Sequence, residues 1–275
     1  MTIQRRRAGS GHAYYVDGEK VPGVTTILKV LPLNLADWAA RCAADYALDH
    51  WDELCDAKPS ERHDLLRYAR LKVKDAAARR GTEVHALADA LTQPLAEGEE
   101  PPRVPPELVG HVEAYGRWLD QIQPAVLANE LVVASRTFRF CGTADVVADL
   151  PELLCDFQVI PPARWLLELK TTASGVWPES ALQATAYRHA EMYVHPEHPD
   201  VEQPMDLLGI ERAGVVWIKS DSCELHPVDT SPELWEFFRH CRWMFDRMEY
   251  DRGNVKLPGH WLSPVATTGE LVANY

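Results

Sequence analysis

The feature that most restricts the fold of this chain is a change of hydrophobic pattern near residue 126. Before it, apolar residues recur every three to four positions, which is the spacing of one helix face. After it come short segments rich in β-branched and apolar residues, which are typical of strands. The order is helices, three strands, a helix, two strands and a final helix. We therefore expect an α/β fold, with a central mixed β-sheet of about five strands flanked by helices and a helical N-terminal layer.

The same pattern gives approximate bounds for each element. Strands are predicted over 127–134, 137–150, 165–170, 214–219 and 223–228, with helices over 178–194 and 232–250. The N-terminal half is predicted to contain a hairpin at Asp17-Gly18, a helix over 34–56, a long second helix that Gly81 interrupts, a loop over 93–106 and a third helix over 107–121. Because no linker is evident, we expect one domain over 1–275: a mainly helical layer over 1–125, an α/β core over 126–230, and a C-terminal helix and tail over 231–275.

The charge of the chain restricts its partners less than the net value suggests. The formal net charge is −13, which argues against a nucleic-acid partner, but residues 61–80 carry seven Lys or Arg against three acids. This segment is either a solvated helical face or a local phosphate-binding surface, and charge alone does not decide between them. No apolar run approaches the roughly 20 residues of a membrane span. The basic start lacks the apolar segment of a signal peptide, so we expect a cytoplasmic protein with no membrane partner.

The strand predicted to end at Lys170 carries the first chemical signal. Side chains alternate between the two faces of a strand, so Glu168 and Lys170 project together. Leu167 and Leu169 then enter the core. A carboxylate and an ammonium group are costly to place at the end of an apolar strand. Taken alone, the pair has two interpretations that stay open: a same-face ion pair, or part of a reactive centre.

A second apolar strand carries a single acid, Asp145, shortly after Gly142, where backbones can approach closely. If the two strands are neighbours, Asp145 and Glu168 lie side by side, with Lys170 one pleat away. Hard cations such as Mg²⁺ or Mn²⁺ prefer carboxylate oxygens together with water and phosphate. A bound cation would polarise a phosphate and make hydroxide available, and Lys170 would orient that water or offset negative charge. The arrangement therefore predicts a metal-dependent centre that acts on phosphodiesters.

Asp145 followed by Glu168-Leu169-Lys170 resembles the signature of the PD-(D/E)XK nuclease superfamily. Three further motifs resemble its RecB-like and phage exonuclease branch. They are the segment Arg80–His85, an acid at Glu130, and Gln183 placed four residues before Tyr187. All of them occur in the order found in that branch, over residues 80–187.

The chain also differs from the superfamily pattern. Ala144 replaces the Pro of the signature, as is frequent in the RecB-like branch, and the insertion over 151–163 is longer than the tight hairpin common in the superfamily. The six cysteines are scattered without a CxxC pair, which predicts free thiols. Some relatives in this branch hold an iron–sulfur cluster with three cysteines near the C-terminus. Here only Cys241 follows Cys223, so no cluster is expected.

The resemblance implies a metal-dependent DNA exonuclease that hydrolyses phosphodiester bonds in recombination or repair. It assigns catalysis to Asp145, Glu168 and Lys170, and one or two Mg²⁺ or Mn²⁺ ions to His85, Asp145, Glu168 and the Leu169 carbonyl. It assigns contacts with the substrate strand to Arg80, Glu130, Gln183 and Tyr187. The implied partners are DNA with a free end, a single-strand annealing protein and, as a further option, other copies of the chain in a homo-oligomer.

Each assignment has a plainer alternative. His85 could be a polar residue beside an apolar helical stripe, Glu130 a charge at a strand edge, and Arg80 an exposed helix charge. Gln183 and Tyr187 could merely cap and pack their helix. Two other functions also fit the motifs: a structure-selective endonuclease with the same centre, and a nuclease-derived DNA-binding module that no longer cuts.

Overall fold

A computed structural model describes residues 2–8, 11–31, 35–93, 101–155, 158–173, 175–251 and 254–256. Residues 94–100 of the predicted loop over 93–106, and the tail from 257 onward, lie outside the described residues. The strands, numbered β1 to β14, are Ile3–Ala8, Gly11–Val16, Glu19–Val21, Ala125–Ser135, Phe140–Leu150, Leu153–Cys155, Gln158–Ile160, Ala163–Lys170, Met192–Val194, Glu202–Pro204, Arg212–Ile218, Cys223–Val228, Glu249–Asp251 and Asn254–Lys256. The α-helices, numbered α1 to α7, are Val24–Ile27, Ala36–Asp49, Trp51–Asp56, Pro59–Thr92, Val109–Ile122, Glu179–Arg188 and Pro232–Phe245.

The centre of the fold is a seven-stranded mixed sheet in the order β10-β9-β4-β5-β8-β11-β12. Neighbouring strands are antiparallel except β8 and β11, which are parallel and are connected through α6. The predicted α/β fold, with a mixed sheet flanked by helices, is confirmed. The five predicted strands correspond to β4, β5, β8, β11 and β12, and two further strands of three residues each extend the sheet at the β4 edge.

The extra strand β9 falls where the hydrophobic pattern predicted the end of a helix. α6 ends at Arg188, earlier than predicted. The amide of Glu191 then donates to the carbonyl of Ala134 at the open edge of β4, and Met192–Val194 pairs with that edge. A short apolar segment fits a helix or a strand equally well by its spacing, and the unpaired edge of β4 decides the outcome here.

The other helices also differ in detail from the prediction. The expected interruption at Gly81 is absent. The helix α4 is continuous over its 34 residues, from Pro59 to Thr92, and includes Gly81. One Gly costs a helix only about 1 kcal/mol relative to Ala, and good helix formers on either side offset that. The single helix expected over 34–56 is instead two helices, α2 and α3, which meet at His50. The last helix, α7, ends at Phe245 and not at residue 250.

The sheet is covered on both faces. One face packs against α1, α6 and α7, around buried residues such as Phe140, Leu166 and Phe238. The other face packs against α4 and α5. Leu167 and Leu169 of β8 lie in this second cluster, so their predicted entry into the core is confirmed.

A third region, which we call the helical arm, consists of α2, α3 and residues 59–78 of α4. Its own small buried cluster contains Tyr46, Leu54 and Ala69 and is separate from the clusters on the sheet. Large apolar side chains such as Leu48 and Trp51 are exposed on it. Among the described helices, none combines the length and apolar character needed to cross a bilayer.

Candidate active site

The candidate site begins where β5 and β8 stop pairing. Their antiparallel register runs from Leu150 opposite Ala163 to Val146 opposite Leu167. Just beyond this register, the Leu169 amide donates to the Oδ2 atom of Asp145 at 2.7 Å. A side chain therefore accepts a hydrogen bond where the backbone ladder ends. The strands therefore separate at this point, and the Asp145 carboxylate fills the gap between them.

Glu168 lies on the opposite face of β8 from Leu167 and Leu169, under α6, with only 3% of its surface exposed. Its Oε1 atom accepts hydrogen bonds from Lys170 Nζ at 2.7 Å and from Gln183 Nε2 at 2.6 Å. Its Oε2 atom is buried and has no hydrogen-bond partner among the described residues. An unpaired buried carboxylate oxygen is expensive, since it has lost water without gaining a donor.

Gln183 and Tyr187 share one face of α6, as their spacing predicts, and both are buried against the sheet. The Gln183 amide donates to the Tyr187 hydroxyl at 2.9 Å and accepts from Lys170 Nζ at 3.2 Å. Gly142 makes room for this arrangement, because a methyl group there would lie 2.1 Å from a ring carbon of Tyr187. The helix α6 thus bonds to side chains of β8 through Gln183.

His85 reaches the same place from α4. Its Nδ1 atom lies 3.5 Å from Asp145 Oδ1, and its side chain is largely buried. One turn earlier, Gly81 faces the end of β8, where an added methyl group would contact Thr171 Oγ1 at 3.5 Å. The segment Arg80–His85 therefore lies across the end of β8, and the structure brings His85 to Asp145.

The electrostatics of the cluster follow from burial and from its two carboxylates. Burial and the Asp145 charge raise the pKa of Glu168 to about 7, although Lys170 and His85 act in the opposite direction. Burial alone would lower the pKa of Lys170, but the Glu168 carboxylate more than offsets it, so that pKa lies above its ordinary value. Burial likewise would lower the pKa of His85, and Asp145 and Glu168 raise it. The cluster therefore retains protons that a bound cation would displace.

The chemistry of these residues fits a hard divalent cation. The oxygens of Glu168 and Asp145 and the Leu169 carbonyl are ligands that Mg²⁺ or Mn²⁺ accepts, whereas the His85 imidazole is a borderline donor that suits a transition metal such as Mn²⁺ better than Mg²⁺. In the part of the chain that the structure describes, no three His, Cys, Asp or Glu side chains converge on one point. Mg²⁺ is commonly held by only one or two carboxylates together with water and phosphate, so two acids are sufficient. The unpaired Glu168 oxygen is the observation that favours this fit.

Two predicted substrate contacts lie elsewhere. Glu130 forms an ion pair with Arg5 of the N-terminal hairpin at 2.6 Å, and its described hydrogen bond goes to that residue. Arg80 is half-buried near α5, where burial and then the Arg80 charge lower the pKa of His111. The structure therefore brings together His85, Asp145, Glu168, Lys170, Gln183 and Tyr187, but records no contact of Glu130 or Arg80 with them.

The loop after β8 is held by a tryptophan on the neighbouring strand β11. The Trp217 indole, on the neighbouring strand β11, donates to the Thr172 carbonyl at 2.8 Å. This bond holds the turn that directly follows Lys170. No local signal in the sequence predicts it, because the two residues are far apart in the chain and adjacent only through the parallel pairing of β8 and β11.

The comparisons with family models and with curated proteins do not assign this chain to a family. No family model matches the chain, and no curated protein matches it significantly. The relation to PD-(D/E)XK nucleases therefore stays an expectation based on motifs, and the functional argument depends on the residues themselves.

Proposed function

We propose that this protein is a metal-dependent nuclease that hydrolyses phosphodiester bonds of DNA at Asp145, Glu168 and Lys170. The buried, unpaired Oε2 atom of Glu168 carries the proposal. A purely structural ion pair with Lys170 has no need of a second carboxylate, yet Asp145 lies close enough to raise the pKa of Glu168. Two neighbouring buried carboxylates are costly, and a divalent cation offsets that cost.

Asp145, Glu168, the Leu169 carbonyl and His85 would hold the cation. When bound, Mg²⁺ or Mn²⁺ supplies polarisation of the scissile phosphate and a water molecule of lowered pKa. The Leu169 amide orients the Asp145 carboxylate through its hydrogen bond, and His85 contacts the other oxygen of that group. These contacts hold the ligand atoms in place before substrate binds.

Lys170 is the group that acts on the substrate side. Its raised pKa keeps the ammonium charged at neutral pH. A charged donor at the strand end can orient the attacking water and offset the negative charge that develops on the phosphoryl group. Gln183 bonds to both Lys170 and Glu168 and so fixes their relative positions. Tyr187 in turn positions Gln183, and burial raises the pKa of its phenol well above the ordinary value, which keeps it neutral.

The finer assignment depends on the motif resemblance. We infer an exonuclease that needs a DNA end and acts in recombination or repair in the cytoplasm. The acidic net charge of −13 favours a protein partner that supplies DNA affinity, for which a single-strand annealing protein is our proposal. Assembly into a homo-oligomer would serve the same purpose by adding further DNA contacts.

The proposal is tested with a linear, end-labelled duplex and the same DNA as a closed circle, each with Mg²⁺, Mn²⁺ or EDTA. Wild type is compared with Glu168→Gln and with Asp149→Asn, which alters a carboxyl on β5, the strand of Asp145, that pairs with Arg164 instead. Metal-dependent loss of the linear DNA alone, absent in Glu168→Gln and retained in Asp149→Asn, supports the exonuclease. Cleavage of the circle supports an endonuclease. Absence of cleavage in both metals overturns the nuclease and leaves a DNA-binding module.

A further inference from the structure

One face of α4 carries a row of basic side chains that leads toward the candidate site. The residues are His63, Arg67, Arg70 and Lys74, whose spacing of four, three and four positions places them on one side of the helix. On a regular helix the same face continues to His85. Arg67 precedes His85 by five full turns, which is about 27 Å, and Lys74 by about 16 Å. We call these four residues the basic row.

The basic row is largely free of compensating acids. Among the residues that the structure describes, no ion pair involves Arg67, Arg70 or Lys74, and the guanidinium of Arg67 instead contacts the Tyr68 ring. His63 lies 3.5 Å from Asp64. The remaining acids of this part of α4 project from other sides, as helical spacing requires for Asp75 and Glu83. Three unpaired cations, Arg67, Arg70 and Lys74, on one helix face contrast with the net charge of −13 of the chain.

The row borders a groove between α2 and α4. This groove has a volume of about 410 Å³ and lies in the helical arm. Opposite His63, Arg67 and Arg70 its wall consists of Ala39, Ala40 and Ala43, which present only methyl groups. Leu66 completes the lining and no acid belongs to it, so a polyanionic backbone can approach the cations in the groove without meeting a carboxylate.

Small residues of α4 line the path from the groove to the candidate site, which meets Thr171 at the end of β8 beside Gly81. Ala77, Ala78 and Gly81 occupy the face of α4 between Lys74 and His85. These residues project little or nothing beyond the helix backbone. A strand that lies on the basic row can thus continue along α4 to Asp145 without obstruction from α4 itself.

We propose that the groove of the helical arm binds the phosphate backbone of the same DNA strand that is cut at Glu168. This inference rests on the proposed function, and it adds a second contact surface distant from the reacting bond. With one phosphate per 3.4 Å of axis on each strand, 16 to 27 Å corresponds to about five to eight nucleotides. Substrates that extend less than about five nucleotides from the cut on that side do not reach the row.

The test compares equal charge changes on two faces of α4. Arg67→Glu reverses a charge in the row, and the double variant Arg67→Glu/Arg70→Glu reverses two. Arg79→Glu, exposed on the opposite side of the same helix and closer to His85, is the matched control. Each is assayed with a small chromogenic ester of thymidine phosphate and with oligonucleotides of about 4 and about 20 nucleotides, lengths chosen to end before and beyond the row.

We expect kcat/KM for the long oligonucleotide to fall about three- to tenfold in Arg67→Glu and further in the double variant. The slope of log affinity against log salt concentration should decrease by about two in the double variant. Activity on the ester and the short oligonucleotide should stay unchanged, as should Arg79→Glu on every substrate. An equal loss in Arg67→Glu and Arg79→Glu overturns the groove as a binding surface.

The same variants separate this inference from the proposed function. Binding of the long oligonucleotide is measured by fluorescence anisotropy in EDTA, where no hydrolysis takes place. If wild type cuts neither the ester nor DNA, the nuclease proposal fails, yet weaker binding by the double variant alone still supports the groove. If wild type cuts DNA and all variants bind it equally, the groove proposal is wrong and the nuclease stands.

Discussion

The two ends of α4 lie in regions that differ in how firmly they are held. Around Glu168 the chain is enclosed on both faces of the sheet, and Leu131, Phe140 and Leu166 are completely buried. In the helical arm the buried cluster is small, while Leu48 is 78% exposed and Trp51 63% exposed. Local stability follows buried apolar contacts, so the arm should open at lower free energy than the sheet.

The difference in stability suits the two roles proposed above, catalysis at Glu168 and phosphate binding in the helical arm. A catalytic cluster needs its groups held to a fraction of an ångström, which a densely packed sheet provides. Contacts with a phosphate backbone are long-ranged and tolerate movement, since they depend on charge more than on shape. The carboxylates that are costly to bury, Asp145 and Glu168, thus lie in the stable region, and the unpaired cations of the basic row lie in the looser one.

Lys170→Ala tests the stable region most severely. We expect activity to fall by about a thousandfold or more, since a charged donor beside the reacting phosphate is lost. DNA binding should stay nearly unchanged, because the basic row lies far from this position. Cleavage and anisotropy are measured side by side. A loss of fold seen by circular dichroism would instead assign Lys170 a structural role.

A pair of core substitutions compares the two regions directly. Leu166→Ala, in the sheet, should lower the free energy of unfolding by about 2–5 kcal/mol. Leu54→Ala, in the arm, should lower it by less, because the arm can open without the sheet unfolding. Urea denaturation measures the global effect, and hydrogen exchange locates the local one. Equal global losses would show that the two regions unfold as one unit.

Gly142→Ala should disturb the packing between β5 and the Tyr187 ring at the candidate site. The added methyl group meets the Tyr187 ring, so we expect a loss of about 1–3 kcal/mol in unfolding free energy together with reduced activity. Gly116→Ala is the matched control, since nothing lies within 4 Å of a methyl group there. In the helix α5 it should stabilise by about 0.5–1 kcal/mol. Thermal unfolding of both variants distinguishes the clash from a general intolerance of glycine replacement.

The pH dependence of the free energy of unfolding should reveal the raised pKa of Glu168. In metal-free protein the pKa of Glu168 is raised to about 7, so the folded chain keeps a proton that the unfolded chain loses earlier. The free energy of unfolding should therefore fall as pH rises from about 4.5 to about 7. His85, whose pKa is also raised, adds to the fall above its ordinary value. Urea titrations with EDTA should show a flatter profile for Glu168→Gln, and an identical profile would contradict the raised pKa.

Glu130→Gln should have the smallest effect. Its partly exposed ion pair with Arg5 contributes about 0–1 kcal/mol, and it contacts no described residue of the site. We expect activity within about twofold of wild type, because substitutions of surface charges away from a site usually have small effects. A large loss of kcat at unchanged stability would restore the predicted substrate contact.

Much of the fold could be predicted because its strands are long and regularly patterned. The alternation in β8 placed Glu168 and Lys170 on one face and the leucines on the other. β9 and β10 could not be predicted, since three residues carry too little pattern and their pairing depends on the edge of β4. The basic segment of β1 likewise forms a strand only through its hairpin partner.

Six residues of the candidate site could be predicted from the sequence, but the contacts that hold their side chains in place could not. The strand pattern placed Asp145 and Glu168 on two strands that would bring them side by side if paired, and helical periodicity placed Gln183 with Tyr187. The contact of Gly142 with the Tyr187 ring, and the direction of the Glu130 side chain toward Arg5, depend on elements that meet only in the folded chain. Distances between remote segments are set by packing, which a local pattern does not contain.

The passage of the chain through α6 between two parallel strands also sets the order in which the candidate site can form. His85 and Gln183 are separated by about a hundred residues, so the cluster is built from contacts of long sequence separation that form late. During synthesis Glu168 leaves the ribosome before α6 does, and its carboxylate stays hydrated until Gln183 of that helix reaches it. A chain interrupted before α6 would therefore carry both carboxylates and still lack the enclosed, proton-retaining cluster that forms once this helix is in place.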